Sequence, residues 1–257
     1  MTPSSSLPRV ALVTGGGRRI GRALCLDLAA QGFAVAVHHH RSAADADAVA
    51  AEIRRSGGRA VALGADLARE TEVETLMERA AAVLGPVGCL VNNASLFERD
   101  EAATVTRASW DAHIETNLRA PFLLTQRLAA ALPADADGVV INLLDQRVWS
   151  LTPHFVSYTV SKSALWTLTR TLALALAPRI RVNGIGPGPT LPSPRQSEEQ
   201  FRRQCASVPL GRGTTPEEIC AAARFILAAP ALTGQMIALD GGQHLQWSPT
   251  GRSELEE

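Results

Sequence analysis

Seven short runs of almost wholly apolar residues recur along the chain, over residues 10–13, 34–38, 60–63, 89–92, 139–143, 181–185 and 236–239. Stretches with helical periodicity separate them, at 21–31, 43–55, 70–84, 109–132, 157–177 and 216–228. Strands with so little polar alternation are expected where helices cover both faces of a parallel sheet. The β-α-β-α order then predicts an α/β fold, a doubly wound parallel sheet with right-handed crossovers. No internal repeat or linker divides the chain, so residues 1–257 are expected to form a single domain.

Two segments break the pattern. Residues 186–196 (GPGPTLPSPRQ) hold too much proline and glycine for helix or strand. They follow a strand end, where a substrate loop belongs in an open sheet. The polar tail over 246–257 is expected to be flexible.

Composition excludes several function classes. Formal net charge is zero, which favours neither nucleic acid nor an anionic membrane. No apolar run approaches the roughly 20 residues of a spanning helix. Cys25, Cys89, Cys205 and Cys220 are dispersed, and the first residues lack a signal-peptide pattern. Reduced thiols in a cytoplasmic protein are expected.

The first run leads straight into Thr14-Gly15-Gly16-Gly17-Arg18-Arg19-Ile20-Gly21 and a helix. Glycines there let the backbone approach a pyrophosphate lying on the unpaired N–H groups of the helix N-terminus. A positive charge at a helix start is mildly unfavourable, so Arg19 is expected to meet a phosphate. The second run ends in His38-His39-His40-Arg41-Ser42, with no carboxylate before Asp45 to bind a ribose 2′-hydroxyl. Arg41, Ser42, His38 and His40 suit a 2′-phosphate, which favours NADPH. Adjacent strand histidines point to opposite faces and make a poor metal shell, so no metal is expected.

Tyr158-Thr159-Val160-Ser161-Lys162 places a phenol and an ammonium one helical turn apart. Such an ammonium can lower the phenol pKa and bind a nicotinamide ribose. Among 25 basic residues Lys162 is the only lysine, and Tyr158 is the only tyrosine. The surrounding chain uses arginine everywhere else, so a compact ammonium at this position is selected for its chemistry.

These motifs resemble the short-chain dehydrogenases/reductases from Val10 to about Gly242. Thr14, Gly15 and Gly21 match the family's TGxxxGxG, and Asp66-Leu67 its adenine-contacting position. Asn92-Asn93-Ala94 matches NNAG, with Ser95 in place of glycine. Asn117 matches its helix asparagine, and Tyr158 with Lys162 its YxxxK. The resemblance implies a Rossmann fold and an NADPH site formed by the glycine turn with Arg18 and Ile20, by His38, His40, Arg41 and Ser42, and by Asp66, Leu67, Asn93–Ser95, Lys162, Pro187 and Gly188. It further implies Tyr158 as proton donor, Asn117 supporting a water-linked path to Lys162, and a homotetramer built on the helices at 109–132 and 157–177.

Two positions depart from the general pattern. Arg19 replaces the middle glycine, and Asp145 stands thirteen residues before Tyr158 where the family has serine. An ionised carboxylate accepts hydrogen bonds only and would repel the oxyanion of a ketone substrate. A ring that presents N–H donors suits it better, whereas an Asp that merely caps the loop is the bland alternative. The departures resemble the pteridine reductase branch, including bacterial dihydromonapterin reductases. That branch implies a dihydropterin held between Phe97 and the nicotinamide, with Ser95, Asp145, Tyr158 and Arg19 as polar partners. A carbonyl or 3-oxoacyl reductase is the rival enzyme, and a non-catalytic NADP-binding sensor the rival from another class.

Overall fold

The computed structural model describes residues 7–193 and 195–246. Its seven strands are β1 (Val10–Val13), β2 (Ala34–His39), β3 (Ala60–Gly64), β4 (Cys89–Asn92), β5 (Gly138–Leu143), β6 (Ile180–Pro187) and β7 (Met236–Leu239). They form one parallel sheet in the order β3-β2-β1-β4-β5-β6-β7. The winding reverses between β1 and β4, where Val13 lies opposite Val91. A crevice at the carboxyl ends of the strands is the usual ligand position at such a reversal.

Alternate strand residues feed two separate cores. Leu12, Ala36, Leu90 and Val140 pack on one face with Leu76 of α3 (Glu70–Leu84) and Leu124 of α5 (Ala120–Ala131). Val13, Val37, Val91 and Ile141 pack on the other with Leu24 of α1 (Arg19–Ala30), Val49 of α2 (Ala43–Arg55) and Ile226 of α8 (Pro216–Ala228). Both faces are apolar because both are covered, and each buried side chain of this size contributes about 1.5–3 kcal/mol.

The stretch expected as one helix over 109–132 is instead α4 (Arg107–Ile114), a π-helical turn (Glu115–Arg119) and α5. The helical course is unbroken, but the π turn inserts a residue and rotates Asn117 inward, where it is fully buried. The helix expected over 157–177 is α6 (Val156–Ala175). One helix has no counterpart among the expected elements: α7 (Glu198–Ser207) follows the proline-rich loop. It has no buried residue, so it lacks the apolar stripe that marks the others. The expected tail lies, from residue 247 on, outside the described residues.

Candidate active site

The loop after β1 packs tightly on its neighbours. Gly15 has φ +62°, and a Cβ on Gly21 would stand 2.1 Å from the Gly15 carbonyl oxygen. Thr14 and Asn93 stitch the ends of β1 and β4 together. Thr14 Oγ1 accepts from the N–H groups of Asn93 and Ala94, each at 3.0 Å, and Asn93 Nδ2 donates to Thr14 O at 2.8 Å. The N-terminus of α1 has neither a side-chain cap nor an acidic residue in its first turn, which leaves its N–H groups for an external anion.

Several expected cofactor contacts are placed differently. His38 is turned inward: Nδ1 accepts Gly15 N–H at 3.1 Å and Nε2 faces Ala65 O at 3.0 Å. Burial, as the largest cause, lowers its pKa to about 4, so the ring is a neutral brace beneath the glycine turn and cannot bind a phosphate. Leu67 is buried in the core, leaving only its backbone for a ligand. Arg18 pairs with Asp45 at 2.5 Å. Arg19 adopts φ +52°, and its guanidinium donates to Pro192 O at 2.8 Å and Leu191 O at 3.1 Å, which joins the glycine turn to the loop after β6. His40 lies 3.7 Å from Asp66, Arg41 is exposed, and Ser42 is the N-cap residue of α2 without a side-chain cap bond.

Of the expected catalytic group, Asp145, Tyr158 and Lys162 line a cavity of about 290 Å³ at the ends of β4, β5 and β6, and Asn117 lies outside it. Tyr158 Oη donates to Asp145 Oδ2 at 2.8 Å. The other carboxylate oxygen accepts Arg147 N–H at 2.8 Å, so Asp145 both caps its loop and holds the phenol. Burial raises the Tyr158 pKa well above its ordinary value and the Asp145 charge raises it further, with Arg147 and Ser95 opposing. Lys162 Nζ donates to Leu143 O at 2.7 Å and lies 5.8 Å from the phenol ring centroid. Burial lowers its pKa to about 8, partly offset by Asp145. The expected lowering of the phenol by Lys162 is therefore not what this geometry produces, because desolvation and a neighbouring anion dominate.

Asn117 bridges the segment after β4 and α6. Its Oδ1 accepts Leu96 N–H at 2.8 Å and Ser95 Oγ–H at 3.4 Å, and Nδ2 donates to Leu96 O at 2.9 Å and Ser161 Oγ at 3.1 Å. The side chain pins segment 95–96 to α6.

Ser95, Phe97, Ile20, Pro187 and Gly188 line the same cavity. Phe97 stacks on Phe155 (centroids 4.4 Å apart, planes at 6°) and meets Tyr158 edge-on at 4.7 Å. Arg147 lies 5.4 and 4.9 Å from the Phe97 and Phe155 centroids, and Arg195 lies 5.3 and 5.8 Å from them. Near-equal distances to two stacked rings put each guanidinium beside the stack, away from the ring faces. Arg195 also donates to Phe97 O at 2.7 Å and to Glu98 at 2.9 Å, which ties the loop after β6 across the cavity. Phe155, Arg147 and Arg195 carry no sequence signal of a site; Phe155 reveals itself only through its left-handed φ of 59°. Among the described residues no His, Cys, Asp or Glu group could hold a metal, and no helix is long and apolar enough to cross a membrane.

Residues 9–203 match the family model for short chain dehydrogenases. A 3-oxoacyl-[acyl-carrier-protein] reductase of Synechocystis is 33% identical over 238 residues, covering 91% of this chain and 96% of the relative. The corresponding reductase FabG of Staphylococcus epidermidis is 31% identical over 240 residues, covering 91% of this chain and 98% of its own. Among solved structures, FolM alternative dihydrofolate reductase 1 from Brucella suis, in complex with NADP, is 49% identical with a TM-score of 0.91, covering 98% of this chain and 100% of that one. A blue fluorescent protein from a metagenomic library, in complex with NADPH, is 33% identical with a TM-score of 0.84, covering 91% and 97%. With the glycine turn, the Tyr158–Lys162 pair and the sheet order already in place, this chain belongs to the short-chain dehydrogenase/reductase family of oxidoreductases.

Proposed function

We propose that this chain is an NADPH-dependent reductase of a dihydropterin. The observation that carries the substrate is the Tyr158–Asp145 hydrogen bond at the cavity. The residue that usually donates to a carbonyl is here an acceptor, and it suits a ring that offers N–H groups. The relationship to FolM alternative dihydrofolate reductase 1 points the same way.

NADPH is the cofactor; the solved relatives from Brucella suis and the metagenomic library hold NADP and NADPH. The site suits it. The uncapped α1 N-terminus and close-packed glycines match a pyrophosphate, and exposed Arg41 beside Ser42 matches a 2′-phosphate. Asp66 and the backbone of Ala94 and Ser95 are the remaining candidates along the adenine and ribose positions, with Lys162 at the nicotinamide ribose.

When bound, NADPH supplies the hydride. The proton that completes the reduction leaves Tyr158 Oη for a ring nitrogen. Burial and Asp145 keep that proton on the phenol until substrate arrives. When Asp145 turns to accept an N–H of the ring, one of the causes that raise the phenol pKa weakens, so the proton is released where the substrate sits. Phe97 offers the flat face against the ring, and Ser95 a hydroxyl at its edge. Asn117 lies in a π turn, which frees one helical carbonyl for water that resupplies the proton near Lys162.

Reduction of a 3-oxoacyl thioester is the second reading, favoured by the relatives from Synechocystis and Staphylococcus epidermidis. Steady-state NADPH oxidation with 7,8-dihydrobiopterin and 7,8-dihydromonapterin, against ethyl acetoacetate and against NADH, separates the two. Turnover of the pterins with preference for NADPH supports the proposal; turnover of the ketoester alone overturns it. A homotetramer in the cytoplasm belongs to the same proposal. Exposed Trp110, Val160 and Leu174 on α4 and α6 supply apolar surface for the assembly.

A further inference from the structure

Behind the aromatic wall lies a second constellation, Asp100, His113 and Ser157, with 5%, 0% and 0% of their surface exposed. Its proton directions are fixed by its neighbours. Glu98 N–H donates to His113 Nε2 at 3.2 Å, so that nitrogen is bare and the proton sits on Nδ1. Nδ1–H then points to Ser157 Oγ at 2.7 Å and to Ser109 O at 2.9 Å. Ser157 Oγ–H donates to Asp100 Oδ2, and Ser157 N–H to Asp100 Oδ1 at 3.1 Å.

The composition is that of a hydrolytic triad, but the order is not. In such a triad the histidine accepts from serine and donates to the carboxylate. Here the histidine donates to serine and serine to the carboxylate, and none of the three lines the cavity. Ser157 is therefore no nucleophile.

We propose that Asp100, His113 and Ser157 form a positioning relay that sets Phe97 against Tyr158. At one end, α6 begins after Phe155, whose side chain provides no cap. Asp100 supplies the missing acceptors from another part of the chain: its carbonyl takes Phe155 N–H at 2.8 Å and its carboxylate takes Ser157 N–H. A carboxylate also suits the positive end of the helix that carries Tyr158. At the other end, His113 holds Glu98 N–H, so Phe97 is fixed by its next neighbour and by the Phe155 stack. The relay thus spans the substrate wall and the proton donor while leaving the glycine turn untouched. It rests on Tyr158 as proton donor in the proposed reaction.

The test uses His113→Asn and His113→Gln in the full chain. An Asn amide nitrogen falls near Nδ1 and keeps the bond to Ser157 but cannot accept Glu98 N–H; a Gln amide oxygen reaches the Nε2 position and can. His113→Asn is expected to raise KM for 7,8-dihydrobiopterin, or for ethyl acetoacetate should only that be reduced, about tenfold, the size of one lost buried hydrogen bond. NADPH affinity by fluorescence titration should stay within about twofold, and His113→Gln should recover much of the KM. Amide exchange of a peptide over residues 97–100 should speed up in His113→Asn and not in His113→Gln, an arm that holds even if neither substrate is reduced. Ser157→Ala, a smaller change, should raise KM in the same way if His113→Asn does not fold. Unchanged KM and unchanged exchange, or equal loss of substrate and NADPH affinity in all variants, would overturn the relay.

Discussion

Tyr158 donates its phenolic hydrogen to the Asp145 carboxylate across 2.8 Å, with both residues on the wall of one cavity. The proposed acid of the reaction and the residue proposed to select the substrate thereby form a single hydrogen-bonded unit. What displaces one partner changes the acidity of the other.

Removing the hydroxyl tests the first half of that unit. Tyr158→Phe is expected to lower kcat by about 10²–10⁴-fold, the usual range for a positioned proton donor. NADPH binding, measured by fluorescence titration, should survive. A non-catalytic sensor would show no turnover to lose.

Burial lowers the Lys162 pKa to about 8, and Asp145 works against that shift. The ammonium loses its proton as pH rises through this value, so kcat/KM for substrate should fall on an alkaline limb near pH 8. In Asp145→Asn the supporting charge is gone, and the limb should move to lower pH. A limb that stays fixed in both proteins would detach it from Lys162.

The inward-facing His38 gives an acid-side prediction. Its pKa is lowered to about 4 from 6.5 by burial, so between these values the unfolded chain binds more protons. Stability is then fully present above pH 6.5 and falls as pH drops toward 4, by up to roughly 3 kcal/mol from this group. Protonation also removes the acceptor of Gly15 N–H, so the glycine turn loosens. Replacing His38 with Gln, which keeps an amide in place of the ring, should flatten denaturant-measured stability across that window.

Arg195 ties the loop after β6 to Phe97 and Glu98. Arg195→Ala should raise substrate KM about fivefold, equivalent to about 1 kcal/mol for a half-exposed charged contact. The wild-type KM should rise toward the variant's as salt is added, because the Glu98 pair is screened.

The parallel sheet was legible because covering both faces leaves its strands almost purely apolar, from Val10–Val13 to Met236–Leu239. Tyr158 and Lys162 were legible because helical spacing joins the only tyrosine to the only lysine, whereas Asp145 stood out only against the serine of the family the chain resembles. The helix α7 was not, since none of its residues is buried, although the Ser197–Gln200 capping box was a signal available at its start. His38 was misassigned as a phosphate ligand: strand alternation separates it from His39, but nothing local says which face the glycine turn will cover. Asp100, His113 and Ser157 are 13 to 57 residues apart in sequence and meet only where the loop before α4, α4 itself and α6 pack together. No periodicity reports such a meeting.

The measurement closest to the central claim is the specificity ratio of Asp145→Ser. Serine restores a hydroxyl donor thirteen residues before Tyr158 and removes the acceptor for ring N–H groups. The account predicts that kcat/KM for 7,8-dihydrobiopterin falls by about 10²-fold while that for ethyl acetoacetate rises, as expected when a charged hydrogen-bonding partner is lost from one substrate and repulsion is relieved for the other. An unchanged ratio of the two would contradict it, leaving Tyr158 as proton donor but removing Asp145 as the residue that selects the substrate.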